Sequence, residues 1–155
     1  KGEKIHSLKP YEELELSDIS IKAFGSTDQG VSFLLSVDGI DIFHAGDLNW
    51  WHWKDESTEE EIKLSEQDFL KEMKHIVGNR IDIAFFPVDP RLGSEYYLGA
   101  ERFISLMKPA MLVPMHFSDN YEAATEFALR AQDCNTTVPM ILKRGQNILF
   151  RKASK

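Results

Sequence analysis

Three strand-like runs of the sequence each end in a residue that could bind a metal or take part in catalysis. IDIFHAGD ends at Asp47, IAFFPVDPR ends at Asp89 and Arg91, and MLVPMHF ends around His116. In layered α/β folds, side chains just past strand ends line the crevice that binds ligands. Each run alone is a weak signal, because a strand-end Asp also serves in turns and a His after an apolar strand also serves in cores.

A loop rich in tryptophan follows Asp47 directly. It contains Trp50, Trp51 and Trp53 around His52. Binding pockets are lined mainly by apolar and aromatic side chains with a few placed polar groups, so we predict that Trp50, Trp51 and His52 contact a substrate. The alternative is that these rings pack over the sheet edge, or against a part of the domain that this chain lacks.

The Asp-Pro-Arg stretch offers a second candidate for substrate contact. The planar guanidinium of Arg91 suits a carboxylate or phosphate. We therefore predict that Asp89 and Arg91 bind a small-molecule substrate with an anionic group. On this hypothesis Arg91→Ala raises KM. The alternative is a turn with a surface salt bridge.

The elements that would position these residues follow from hydrophobic periodicity and turn signals. Residues 1–11 form an irregular lead-in, and Asp38-Gly39 is a hairpin signal. A helix with Phe69, Leu70, Met73, Ile76 and Val77 on one face is expected to begin at a capping box of Ser65 and Asp68. The other predicted elements are strands over 19–24, 31–37, 40–45, 81–88 and 110–117, helices over 95–108 and 120–132, and a closing strand pair over 138–143 and 147–152. The pattern predicts an α+β fold in one domain, residues 1–155, with helices packed on a mixed sheet.

Composition narrows the classes of partner. The net charge of -7 argues against a nucleic-acid-binding surface, which needs a basic face. No apolar run approaches the roughly 18 residues of a membrane span, and the chain has a single cysteine, Cys134. These features predict a cytoplasmic protein with no membrane partner. The first residue is Lys1 rather than Met, which suggests a start inside a longer protein.

Taken together and in this order, the runs resemble the second half of the metallo-β-lactamase superfamily, in its branch of L-ascorbate-6-phosphate lactonase-like and other metal-dependent hydrolases. The resemblance rests on His-Ala-Gly-Asp at 44–47 and Pro-Met-His-Phe at 114–117. It implies an αββα-type fold in which Asp47 bridges two metal ions and His116 binds the second. Zn²⁺ is the expected metal, and Mn²⁺ or Fe also suits these ligands.

One departure from the family is large. The His-x-His-x-Asp-His motif that supplies most ligands of the first metal is absent, since no two of the five histidines are separated by one residue. The chain therefore resembles the C-terminal half of the domain. A catalytic zinc usually needs three protein ligands. His44 is a weak candidate for the third, because residues three apart on a strand point to opposite faces unless a bulge intervenes.

The first functional hypothesis is a metal-dependent hydrolase in which a metal-bound hydroxide attacks an ester, lactone, amide or phosphoester. This chain alone is expected to lack part of the site. The alternative is a non-catalytic module that keeps the scaffold and binds a partner or another copy of itself, since an unpaired sheet edge invites association. A nucleic-acid-processing relative is a third option, which the negative charge disfavours.

Overall fold

The computed structural model describes residues 5–152, so the ends of the predicted lead-in and of the predicted 1–155 domain lie outside it. Within residues 5–152 the chain forms six strands, three α-helices and one 3₁₀ segment. In chain order these are β1 (Glu13–Leu16), β2 (Ile19–Phe24), β3 (Ser32–Val37), β4 (Ile40–His44), α1 (Glu59–Ile76), β5 (Ile83–Pro87), the 3₁₀ segment (Pro90–Glu95), α2 (Leu98–Met107), β6 (Met111–Met115) and α3 (Tyr121–Arg130).

The six strands form one mixed sheet in the order β1-β2-β3-β4-β5-β6. Neighbours from β1 to β4 are antiparallel, and the pairs β4–β5 and β5–β6 are parallel. Asp38 and Gly39 both have positive φ, at 52° and 74°, which is the backbone of a two-residue hairpin turn. The predicted meander followed by strand–helix–strand–helix is confirmed, and so is the α+β fold with helices packed on a mixed sheet.

The structure corrects the predicted start of the first helix. α1 begins at Glu59, where Thr58 and Glu61 form a capping box. The Glu61 carboxylate accepts from the Thr58 backbone N–H at 2.8 Å, and the Thr58 hydroxyl accepts from the Glu61 N–H at 3.3 Å. The predicted box at Ser65 and Asp68 was wrong because a Thr-x-x-Glu signal inside the acidic run comes earlier.

Three other elements differ from prediction. β1 was not predicted, and the residues expected to continue one helix over 95–108 divide into the end of the 3₁₀ segment and α2. The closing pair over 138–143 and 147–152 was also wrong, since neither run forms a strand. The Gln146 side chain instead bonds Met140 O at 2.7 Å and Leu142 N at 2.9 Å, so a side chain replaces the backbone ladder there.

All three α-helices contribute to one hydrophobic core on one face of the sheet. Phe69, Met73 and Ile76 of α1, Phe103 of α2 and Phe127 of α3 are buried there. They pack with alternate strand residues, namely Phe24, Leu34, Phe43, Ala84, Phe86 and Leu112. None of the helices between residues 5 and 152 has the length and apolar character needed to cross a lipid bilayer.

The intervening strand residues point to the opposite side of the sheet, because side chains alternate along a strand. We call this side the open face. A row of aligned partners on it runs across five strands, and every member is apolar: Leu14, Ile21, Leu35, Ile42 and Ile83. These side chains are only half-buried. A groove of about 340 Å³ lies on the open face between Leu16, Phe33 and their neighbours. The sheet is therefore apolar on both faces, and the helical core covers one of them.

Candidate metal centre

The three predicted strand ends meet at one edge of the sheet. Parallel pairing of β4, β5 and β6 aligns their carboxyl ends, with His44 opposite Phe85 and Pro87 opposite Met115. Asp47, Asp89 and His116 come within the next few residues of each strand. The topology therefore gathers side chains that are far apart in the sequence.

The two predicted metal ligands approach each other at this edge. His116 Nε2 lies 3.2 Å from Asp47 Oδ1. His116 has a φ of 68°, an uncommon conformation for a residue with a side chain, and it follows β6 directly. Strained backbone of this kind persists where the surrounding structure holds it, often at functional sites. Both side chains keep contact with solvent, at 35% for Asp47 and 27% for His116.

A tight turn after β4 delivers Asp47 to this position. The Ala45 N–H bonds Phe85 O at 3.0 Å, and the Leu48 N–H returns to Ala45 O at 3.0 Å. Gly46 lies between them with a φ of 56°, and a Cβ at that position would stand 2.7 Å from Val31 O. Both the backbone conformation and the lack of space therefore require glycine there.

His44 ends β4 beside the Asp47–His116 pair. Its Nδ1 accepts the Gly46 N–H at 3.1 Å, and its ring stacks on Phe85. Burial and the neighbouring His116 lower the pKa of His44, with Asp47 acting in the opposite sense. With Nδ1 engaged as an acceptor, the neutral ring carries its proton on Nε2, so His44 is not presented as a ligand in this arrangement.

Asp89 and Arg91 form a closed ion pair next to His116. The Arg91 backbone N–H and Nε reach Asp89 Oδ1 at 3.0 and 2.9 Å, and a terminal nitrogen of Arg91 reaches Oδ2 at 2.5 Å. The Asp89 side chain is 1% exposed and the Arg91 side chain 66%. These hydrogen bonds raise the pKa of Arg91 above its ordinary value. His116 Nδ1 lies 3.8 Å from Asp89 Oδ2.

Two of the loop tryptophans lie at the site. The Trp51 indole N–H donates to Asp47 O at 3.0 Å, and its ring lies 6.0 Å from the His116 ring. Trp53 stacks on Trp51 at 6.2 Å, and the Arg91 guanidinium lies 5.8 Å from the Trp53 ring. Beside them is an open cleft of about 660 Å³, lined by Arg91 and the segment 114–118.

The other residues of the loop turn inward. Trp50 packs against the hydrophobic core, and its indole nitrogen is buried without a hydrogen-bond partner among the described residues. His52 Nδ1 is buried in the same way, and its ring meets Trp50 edge-on at 5.6 Å. The loop thus divides, with Trp51 and Trp53 at the candidate centre and Trp50 packed against the core.

The pair of Asp47 and His116 has the donor chemistry of a divalent-metal site, with one carboxylate and one imidazole aimed at each other. A catalytic zinc takes three protein ligands, however. Between residues 5 and 152 no group of three His, Cys, Asp or Glu side chains is arranged to hold a metal. The residues described here therefore fit part of a metal site.

Comparisons with known proteins bear on the fold. No known protein-family model and no curated protein matches this chain. CmlA, a diiron β-hydroxylase from Streptomyces venezuelae, is similar over 83% of this chain and 31% of its own, with 11% identity and a TM-score of 0.51. A point mutant of CmlA β-hydroxylase gives 10% identity and a TM-score of 0.52 over 83% of this chain and 30% of its own. The chain shares its fold with part of a diiron enzyme.

A third solved structure is a proposed Zn-dependent hydrolase of the metallo-β-lactamase superfamily from Thermotoga maritima. It has 21% identity and a TM-score of 0.47 over 74% of this chain and 50% of its own. This chain thus spans half the length of one solved neighbour and less than a third of the others.

Residues that the sequence did not mark for the site also hold it together. The Thr27 hydroxyl donates to Asn49 O at 2.6 Å and accepts from the Asn49 N–H at 2.9 Å, so it fastens the tryptophan loop to the β2–β3 connection. The Ser65 hydroxyl of α1 donates to Trp51 O at 3.0 Å. Neither contact has a local sequence signal, because each joins segments distant along the chain.

Proposed function

We propose that this chain is the C-terminal half of a metal-dependent hydrolase of metallo-β-lactamase type, with Asp47 and His116 as its metal ligands. The observation that carries the proposal is the 3.2 Å approach of His116 Nε2 to Asp47 Oδ1 at the shared carboxyl edge of three strands. Carboxylate and imidazole ligands suit Zn²⁺, Mn²⁺ and Fe. A diiron enzyme among the solved structures of this fold is consistent with that range.

The chain's own residues would bind and orient the reacting groups. Asp47 and His116 would hold the metal, which when bound would supply a nucleophilic water at neutral pH to an ester, lactone, amide or phosphoester. Trp51 and Trp53 would wall the site and limit its access to solvent. Arg91 keeps an exposed edge while it pairs with Asp89, and that edge would meet an anionic group of the substrate. We include in this proposal a substrate like those of the L-ascorbate-6-phosphate lactonase-like branch, which the sequence resembles.

The open face supports the idea of a half-domain. An apolar row across five strands, half-buried opposite the helical core, is a surface that folded proteins normally cover. The short coverage of the solved neighbours fits the same view. We propose that the N-terminal half of the domain occupies the open face and brings the remaining metal ligands.

Calorimetric titration of the purified chain with Zn²⁺ tests the proposed ligands. We expect weak binding that is lost in both Asp47→Ala and His116→Ala, because each removes half of the ligand pair. The control variants Asp133→Ala and His75→Ala change the same residue types away from the strand ends and should bind as the parent chain does. Binding that persists in both Asp47→Ala and His116→Ala would refute the ligand assignment.

A second candidate is a non-catalytic module that pairs with another copy of itself through the open face. The same apolar row favours it. Sedimentation of the isolated chain, and of a protein that also carries the proposed N-terminal half, separates the two candidate functions. A stable, saturable homodimer of the isolated chain that persists in that longer protein would favour the module.

A further inference from the structure

We infer that Asp89 is a positioning residue for His116, rather than a group that touches substrate. The inference rests on the proposed function, since it assigns His116 as a metal ligand, but its main test needs no metal. It starts from the burial of Asp89, whose side chain is 1% exposed at the end of β5. A carboxylate with so little accessible surface cannot meet a substrate in the cleft.

Every observed contact of the Asp89 carboxylate is with a neighbouring side chain or with the turn that follows it. The backbone N–H and the guanidinium of Arg91 bond both of its oxygens. A bidentate fork of this kind fixes the plane of the carboxylate as well as its distance. The Arg91 guanidinium also lies 5.8 Å from the Trp53 ring, within the range of a cation–π contact. Asp89 therefore has one well-defined orientation.

In that orientation Asp89 faces one nitrogen of His116 while Asp47 faces the other. Asp89 Oδ2 is 3.8 Å from Nδ1, and Asp47 Oδ1 is 3.2 Å from Nε2. The longer distance exceeds a hydrogen bond, so the influence of Asp89 here is electrostatic. Negative charge beside Nδ1 favours the tautomer with its proton on Nδ1, whereas the nearer Asp47 carboxylate favours a proton on Nε2. A metal held by Asp47 and Nε2 would take the place of a proton there, and Asp89 would then face the Nδ1–H.

The test compares Asp89→Asn with Asp82→Asn. Asparagine keeps the shape of Asp89 and one acceptor for the Arg91 N–H, but it removes the charge. Asp82 is a matched control, because it is also a buried carboxylate on the approach to β5, paired with Arg80 and Lys152 at the far end of the sheet. Both variants lose a buried charge, and only one of them changes the surroundings of His116.

The first measurement is the tautomer of His116 in metal-free chains that carry Asp47→Ala, so that Asp89 is the carboxylate that still faces the ring, from ¹⁵N chemical shifts at a pH where the ring is neutral. We expect the Nδ1–H form with Asp47→Ala alone and with Asp82→Asn added to it, and a marked rise of the Nε2–H form with Asp89→Asn added. A His116 tautomer that is the same with and without Asp89→Asn in the Asp47→Ala chain would overturn the inference, whatever the outcome for metal binding.

The second measurement is Zn²⁺ affinity by calorimetry. Loss of a carboxylate behind a ligating His typically lowers metal affinity about 10- to 100-fold, and we expect a loss in that range for Asp89→Asn against less than about twofold for Asp82→Asn. Equal losses in the two variants would reduce Asp89 to a structural role. If the parent chain bound no Zn²⁺, the ligand proposal would fail for the isolated chain, while the tautomer result would still decide the role of Asp89.

Discussion

Asp47 Oδ1 and His116 Nε2 lie 3.2 Å apart, although the two residues follow different strands and neither strand pairs with the other. β5 separates β4 from β6, so the side chains meet above the end of the intervening strand. This relationship depends on two unusual backbone conformations, the positive φ of Gly46 and that of His116. The geometry of the site is therefore sensitive to substitutions that change no ligand.

Gly46→Ala should destabilise the chain and displace Asp47. An alanine would have to adopt a φ of 56° with its Cβ 2.7 Å from Val31 O, so strain and overlap both apply. We expect a loss of about 1–3 kcal/mol in the free energy of unfolding, measured in urea, together with weaker Zn²⁺ binding. Gly145→Ala is the control, because Gly145 has a φ of 74° with nothing within 4 Å. Equal losses in the two variants would contradict the role given to the Val31 contact.

Trp51→Phe should weaken metal binding without unfolding the chain. The substitution keeps an aromatic ring but removes the N–H that donates to Asp47 O at 3.0 Å. A neutral hydrogen bond is worth about 0.5–1.5 kcal/mol, so we expect Zn²⁺ affinity to fall roughly two- to tenfold in calorimetry. In Trp53→Phe the hydrogen bond from Trp51 remains, and the affinity should stay close to that of the parent chain. A larger loss in Trp53→Phe would mean that stacking, not the hydrogen bond, holds Asp47.

Much of the fold could be predicted from the sequence because its signals are local. Asp38-Gly39 set a hairpin, and alternating or continuous apolar runs marked β2 to β6. The short strand β1 carries a weaker pattern, and its position depends on pairing with β2. The closing pair failed for a related reason, since β-like composition does not specify a ladder partner.

The candidate site could be predicted only in part. Strand ends and residue types indicated Asp47, His116, Asp89 and Arg91, and the parallel sheet brings all four to one edge. The tryptophan loop shows the limit of such reasoning. Adjacent tryptophan rings point in different directions, Trp50 against the core and Trp51 toward His116, because tertiary packing decides which side of an irregular loop is buried.

Asp82→Asn should lower stability at neutral pH and make it less sensitive to acid. Burial alone would raise the pKa of Asp82, but the Asp41 N–H and Lys152, with the charge of Arg80, outweigh it and hold the pKa below its ordinary value. A lowered pKa gives stability that is complete above the ordinary aspartate pKa, about 3.9, and is lost as the pH falls through the folded value.

We therefore expect Asp82→Asn to cost about 2 kcal/mol at pH 7 and 5, since hydrogen bonds to charged groups contribute roughly 1.5–3 kcal/mol. The gap from the parent chain should narrow below about pH 4, where the parent loses the same contribution. Urea unfolding at pH 7, 5 and 3.5 measures the gap. A gap that widened on acidification would contradict the direction of the pKa shift.

The open face predicts opposite outcomes for two adjacent leucines. Leu34 is 5% exposed in the helical core, and Leu35 lies half-buried on the open face, aligned with Ile42. Leu34→Lys would bury a charge and should unfold the chain, as seen by circular dichroism. Leu35→Lys should leave the isolated chain folded and more soluble, with less binding of an apolar dye, because the lysine can reach solvent. In a longer protein that carries the proposed N-terminal half of the domain, the same Leu35→Lys should be destabilising, since that half would cover it. A Leu35→Lys variant that is stable in the longer protein would exclude that half as the occupant of the open face, and sedimentation would then show whether a second copy of the chain takes its place.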